Sequence, residues 1–384
     1  MTKKKGLMQK LKVLTVFGTR PEAIKMAPLI KRIEEYEQIE SIVCITAQHR
    51  EMLDTVLELF KINPNYDLNI MKHGQSITDI TVRVLKGMED ILTRERPDIV
   101  LVHGDTSTTF VGALAAFYQK IKVGHVEAGL RSGNIYSPYP EEMNRILTTN
   151  LASIHFAPTK GNYNNLIKEG IEPEKIFITG NTVIDALLSV VKDDYTFENS
   201  ILNKMDYKNK KIIVMTCHRR ENWGGPMEDI FMAVKGIVEE NDNIEVIFPV
   251  HLNPNIHKLA KYIMGEQGNI HLIKPLEYEE FANLLNKAYL ILTDSGGIQE
   301  EAPALGKPVL VMREETERPE AVEAGTVKII GTEKENIKKE VNVLLNDLDE
   351  YNKMANSTNP YGDGTASEKI VDFLLSYLMH FGDI

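Results

Sequence analysis

Cysteine is scarce in this chain: only Cys44 and Cys217 occur in 384 residues. Both lie inside apolar, strand-like runs, so neither a disulfide framework nor a cysteine-based zinc site is available, and a reducing cytoplasm is the expected setting. Long apolar runs are missing as well. No stretch approaches the ~18–20 apolar residues of a membrane span, and the basic residues 1–10 lack a signal peptide's apolar core and read as an overhang. Positive charge is not in excess. A formal net charge of −11 argues against nucleic acid or an anionic membrane as partner, while leaving room for a small basic pocket around one polyanionic ligand. No Gly-x-Gly-x-x-Gly follows the first strand, since after Gly18 that loop has no further glycine, so no nicotinamide cofactor is expected. A Gly-x-Ser-x-Gly elbow, a His-Glu-x-x-His pair and a Walker loop are all absent. The ten histidines never fall at dense metal-ligand spacing, so no metal is expected either.

What is present is ordinary globular material, 43% hydrophobic and 26% charged, in a length that suits two domains of ~100–200 residues each. Short apolar runs at residues 13–17, 42–46, 99–103, 122–126 and 154–157 alternate with segments of helical period. That alternation predicts a parallel sheet. After a polar stretch at 193–211 a second series begins, at 212–216, 244–250, 271–273, 290–293 and 308–312. The expected architecture is α/β, with two Rossmann-like parallel-sheet domains facing across a cleft. The first spans residues 1–188 and is completed by a C-terminal helix, 366–384, packing back on it; the second spans 189–365.

In open parallel sheets ligands bind beyond the carboxyl ends of the strands, and those positions are unusually polar here. The first strand runs into Gly18-Thr19-Arg20-Pro21-Glu22, with Lys25 one turn further on. A helix start carrying two cations suits a diphosphate. Later strands end in His103-Gly104-Asp105 and in His125-Val126-Glu127, and Pro140-Glu141-Glu142 follows. Helix capping would account for Asp105 alone, and the helix dipole for Glu141 alone; three carboxylates converging on one sheet edge are harder to dismiss. In the second domain His218, followed by Arg219 and Arg220, ends the opening strand. The strongest local signal is Asp294-Ser295-Gly296-Gly297, a strand, glycine pair and helix start that form a phosphate cradle. Glu301 is placed to accept from ribose hydroxyls, and Arg318 to reach the diphosphate.

Taken together, Phe17-Gly18-Thr19-Arg20-Pro21-Glu22, His103-Gly104-Asp105, Gly124 through Arg131, His218-Arg219-Arg220-Glu221-Asn222 and Asp294 through Gly297 resemble the non-hydrolysing UDP-N-acetylglucosamine 2-epimerases. The resemblance implies the two-domain fold of B-type glycosyltransferases and a homodimer. It implies reversible interconversion of UDP-GlcNAc and UDP-ManNAc without cofactor, by elimination of UDP to a 2-acetamidoglucal and re-addition, supplying ManNAc for surface polysaccharide. Carried over by position, the catalytic residues are Asp105, Glu127, Glu141 and His218. Substrate contacts fall on Arg20, Lys25, Ser295, Gly296, Gly297, Glu301 and Arg318, with the uracil near Phe281. Bacterial members also bind a second UDP-GlcNAc as activator, against a segment matching Gln48, His49, Arg50, Arg219 and His251; His73-Gly74 stands here where some carry an arginine. A hydrolysing epimerase, a glycosyltransferase of the same fold and a silent nucleotide-sugar sensor are the rival readings.

Overall fold

The computed structural model describes residues 10–48 and 50–381. The chain divides into two compact units, one running to Ala186 and resuming at Gly362, the other Leu187–Tyr361. In the first, seven parallel strands form one sheet: β1 (Leu11–Phe17), β2 (Ile39–Ile45), β3 (Tyr66–Asp67), β4 (Ile99–His103), β5 (Lys122–Val126), β6 (Ile154–Ala157) and β7 (Ile176–Ile178), in the spatial order β3-β2-β1-β4-β5-β6-β7. The second unit has six: β8 (Lys211–Thr216), β9 (Ile244–Pro249), β10 (Ile270–Ile273), β11 (Leu290–Thr293), β12 (Val309–Val311) and β13 (Val327–Ile329), ordered β10-β9-β8-β11-β12-β13.

Apolar side chains on both strand faces explain the parallel pairing, because helices must cover each side of such a sheet. All five residues of β4 are buried. In each sheet the order reverses once, between β1 and β4 and between β8 and β11. A ligand crevice opens at the carboxyl end of such a reversal, and Gly18, Asp105, His218 and Asp294 follow these four strands.

The C-terminal helix Ala366–Phe381 belongs to the first unit, as expected. Buried Asp185 accepts from Ser367 N at 2.7 Å and Ala366 N at 3.2 Å, capping the helix start. Phe373 packs edge-on to Phe156 at 5.6 Å and against Phe177 at 4.2 Å. Residues 1–9 and 382–384 of the expected elements lie outside the described residues.

Candidate active site

In the first unit, β1 passes through Gly18 into the helix Arg20–Glu34. A Cβ on Gly18 would stand 2.0 Å from Thr46 Oγ1 and 2.6 Å from Thr108 Oγ1, so only glycine lets the strand end close against these hydroxyls. Glu22 then turns back on the loop. Its carboxylate accepts from Gly18 N at 3.0 Å and Thr19 N at 2.8 Å, and Thr106 Oγ1 donates to it at 2.6 Å. This buried latch ties the end of β1 to the end of β4. Burial raises the Glu22 carboxyl against those donors.

Asp105 and Glu127 each meet a cation. Arg145 donates to Asp105 Oδ2 from Nε at 3.0 Å and Nη2 at 2.6 Å, and Nη1 reaches Glu142 at 2.8 Å. Glu142, buried, accepts from Ser132 N and Gly133 N at 3.0 Å each. Burial alone would raise Glu142, but these donors hold it below its ordinary value. Glu127 Oε2 pairs with Lys25 Nζ, accepts from Asn181 Nδ2 at 2.9 Å and lies 3.6 Å from His103 Nε2. Glu127 has φ +63°, left-handed backbone that costs a non-glycine residue about 1–3 kcal/mol and clusters at functional positions. Glu141 opens the helix Glu141–Leu151, half-buried, and its carboxylate has no hydrogen-bonding or ionic partner among the described residues. His103 is sealed in, and burial pushes it down to about 4.

In the second unit the organising group is Asp294, fully buried at the end of β11. Its Oδ2 accepts from His218 N and Arg219 N, each at 2.8 Å, and from Asn222 Nδ2 at 3.2 Å. Its Oδ1 faces His218 Nδ1 at 3.2 Å. The His218 ring is 40% exposed and stacks on His251 with centroids 6.0 Å apart and planes 12° off parallel. Burial lowers His218 below the ordinary histidine value, with Asp294 pulling the other way and His251 and Arg219 adding to the fall. Ser295 stands at the N-cap position of the short helix Gly296–Glu301 without a side-chain hydrogen bond to it. A Cβ on Gly296 would stand 3.6 Å from Arg219 Nη2 and 4.0 Å from Arg318 Nη2, so two guanidinium groups flank the glycine. Arg318 Nε is held by Glu300, and Tyr278 Oη donates to Glu301 at 3.4 Å.

The remaining candidates are spread over both units. Arg20 and Phe281 are half-buried, in the helices Arg20–Glu34 and Tyr278–Lys287, and Gly297 is exposed. Gln48 accepts from Thr108 Oγ1 at 3.4 Å, and Arg50 is engaged by Asp54 at 3.0 Å and by Asp67. These two belong to the first unit and Arg219 and His251 to the second; Arg219 stands beside Gly296 in the cradle, and His251 on His218. His49 lies outside the described residues. Glu22, Glu142, Arg145, Asn181, Asp294 and Glu300 carry roles in the structure that their sequence positions do not announce. One signal was available: Glu142 and Arg145 are three apart on one helix, a pairing distance. Among the described residues no group of three or more His, Cys, Asp or Glu is arranged to hold a metal ion, and no helix is long and apolar enough to cross a membrane.

Two Rossmann-like units, each with polar groups at its switch point, define the class of the B-type glycosyltransferase fold. Within that class, the profile of the family described as UDP-N-acetylglucosamine 2-epimerase matches residues 31–375. The chain is 56% identical to the UDP-N-acetylglucosamine 2-epimerase of Salmonella typhimurium, over 96% of this chain and 99% of that protein. It is 54% identical to that of Bacillus subtilis, over 98% and 97%. A crystal structure of the Neisseria meningitidis UDP-GlcNAc 2-epimerase bound to UDP-GlcNAc superposes with a TM-score of 0.83 at 52% identity, covering 95% of this chain and 100% of that one. The chain belongs to the UDP-N-acetylglucosamine 2-epimerase family.

Proposed function

We propose that this chain interconverts UDP-GlcNAc and UDP-ManNAc at C2 by the non-hydrolysing route. The observation that carries the reading is the division of chemistry: ion-paired carboxylates after β4 and β5 of one unit, and a glycine flanked by two guanidinium groups beside an Asp-held histidine at the switch point of the other. Family membership supports the same reading.

The C2 hydrogen has no neighbouring carbonyl to acidify it, so direct deprotonation is implausible. If the C1–O bond breaks first, its electron pair leaves on the β-phosphate of UDP, and the positive charge at C1 makes the C2 hydrogen labile. Loss of that proton to a carboxylate closes a C1=C2 double bond, giving a 2-acetamidoglucal. Protonation of C2 from the other face and return of UDP to C1 complete the inversion. The two epimers present the hydrogen on opposite faces, so at least two acid–base groups are needed. Asp105, Glu127 and Glu141 are the candidates. Lys25 and Arg145 hold two of them in place, and Glu141 has no such partner among the described residues. Arg219, Arg318, His218 and the Ser295-Gly296-Gly297 turn receive the diphosphate, and Arg20 is a further candidate cation for it; Glu301 suits the ribose and Phe281 the uracil. We further propose a homodimer whose product supplies ManNAc for surface polysaccharide, and leave the activator site to a titration with UDP-GlcNAc.

An NMR time course with UDP-GlcNAc alone tests the reading. UDP-ManNAc should grow in toward an equilibrium mixture. Accumulation of free ManNAc with UDP, a demand for an acceptor, or binding without turnover would each replace it with one of the rival activities. His218→Ala is expected to lower turnover at least about a hundredfold with the circular dichroism spectrum unchanged; near-normal turnover would remove His218 from the mechanism.

A further inference from the structure

His218 and Asp294 form an arrangement whose two ends are chemically distinct. Oδ2 of Asp294 takes three N–H donors, His218 N, Arg219 N and Asn222 Nδ2. Oδ1 is buried without a hydrogen-bond partner among the described residues and lies 3.2 Å from His218 Nδ1. A carboxylate only accepts, so a neutral His218 that satisfies Oδ1 carries its hydrogen on Nδ1 and its lone pair on Nε2.

We propose that Asp294 is a positioning residue that fixes His218 in the Nδ1–H form, making Nε2 the atom that takes up a proton when the diphosphate binds and holds it against the departing β-phosphate. The inference rests on the proposed epimerase reading for its catalytic consequence, though not for the tautomer itself. When the C1–O bond breaks, the electron pair stays on the phosphate oxygen; Nε2–H then donates to that oxygen while Asp294 balances the imidazolium. A neutral histidine in the unliganded site accords with the fall in its proton affinity on burial. The charged or titratable groups facing the ring are Asp294 from the end of β11, His251 from the end of β9 and Arg219 from its own loop.

The Asp294→Asn exchange is diagnostic because its orientation is dictated. The three N–H donors require oxygen at the Oδ2 position, which leaves the amide nitrogen at Oδ1, donating toward Nδ1. The hydrogen on His218 must then move to Nε2.

The test uses the full-length protein labelled with 15N-histidine, the His218 signals being assigned by their loss in His218→Gln. Without ligand, at a pH where His218 is neutral, the wild type should show Nδ1 protonated and Nε2 bare; the opposite tautomer overturns the proposal. In Asp294→Asn the tautomer should invert and kcat should fall at least about a hundredfold, toward the ~10⁴-fold of the comparable exchange in a Ser-His-Asp triad. KM should move far less than kcat. Inversion with kcat within about threefold of wild type, relative to that scale, overturns the positioning role. Should Asp294→Asn fail to fold, the wild-type spectrum alone decides. A wild type that shows the Nδ1–H form but never epimerises would sink the activity proposed above and leave the tautomer assignment standing.

Discussion

Glu127 combines left-handed backbone with a carboxylate gripped by Lys25 and Asn181. That combination fixes the group in space at the expense of local strain, which suits the acid–base role proposed for it. Glu127→Gln removes the negative charge that Lys25 pairs with and removes a proton acceptor. Turnover is expected to fall ~10²–10⁴-fold, the range for general acid–base groups, in a steady-state assay at saturating substrate. Asp105→Asn should behave alike, because Arg145 already holds the carboxylate in one orientation; activity within a few fold in both variants would refute the acid–base assignment. At this scale the strand-end residues were legible because chemistry at a parallel sheet sits where apolar runs stop. Arg145, Asn181 and Asp294 were not, since each acts through a partner 40, 54 or 76 positions away, and one sequence shows no such pairing.

Whole elements divide in the same way. The longer strands announce themselves as apolar runs, and β4, β5, β6 and β11 fall on the expected residues. The short strands β3, β7 and β13 escaped, since two or three edge residues carry too little pattern to stand out. The C-terminal helix was legible from its period and the turn-rich segment before it. Its cap was not, because Asp185 reaches it across 181 positions. Asp185→Ala is expected to lower the stability of the first unit by about 1 kcal/mol, as for loss of a helix cap, measured by urea unfolding. An unchanged midpoint would mean that apolar packing, by Ile370, Val371, Leu374 and Phe373, holds the helix without its cap.

Across the whole molecule, acid should act unevenly. His103, His125 and His155 are buried in the first unit, and burial pushes them down to about 4, 4 and 3 from the ordinary 6.5. Above pH 6.5 these histidines are neutral in both states and impose no penalty. As the pH falls from 6.5 toward 4, the unfolded chain takes up protons that the folded unit refuses, and stability is lost at up to about 1.4 kcal/mol per pH unit for each histidine. The loss levels off below the folded values. Amide hydrogen exchange, which resolves the two units, should find the first destabilised steeply over that window, and less so in a His155→Leu variant. A flat response between pH 6.5 and 4.5 would contradict this.

The proposed epimerisation route makes one demand on the chemistry: the C2 hydrogen leaves as a proton to a carboxylate while UDP is detached. Epimerisation run in heavy water tests this most directly, with the products followed by NMR and mass spectrometry. The expected result is deuterium at C2 of the UDP-ManNAc formed and, as the reaction reverses, of the remaining UDP-GlcNAc, together with a trace of free UDP. UDP-ManNAc that appears with its original C2 hydrogen and no deuterium would contradict the elimination pathway and the roles given to Asp105, Glu127 and Glu141.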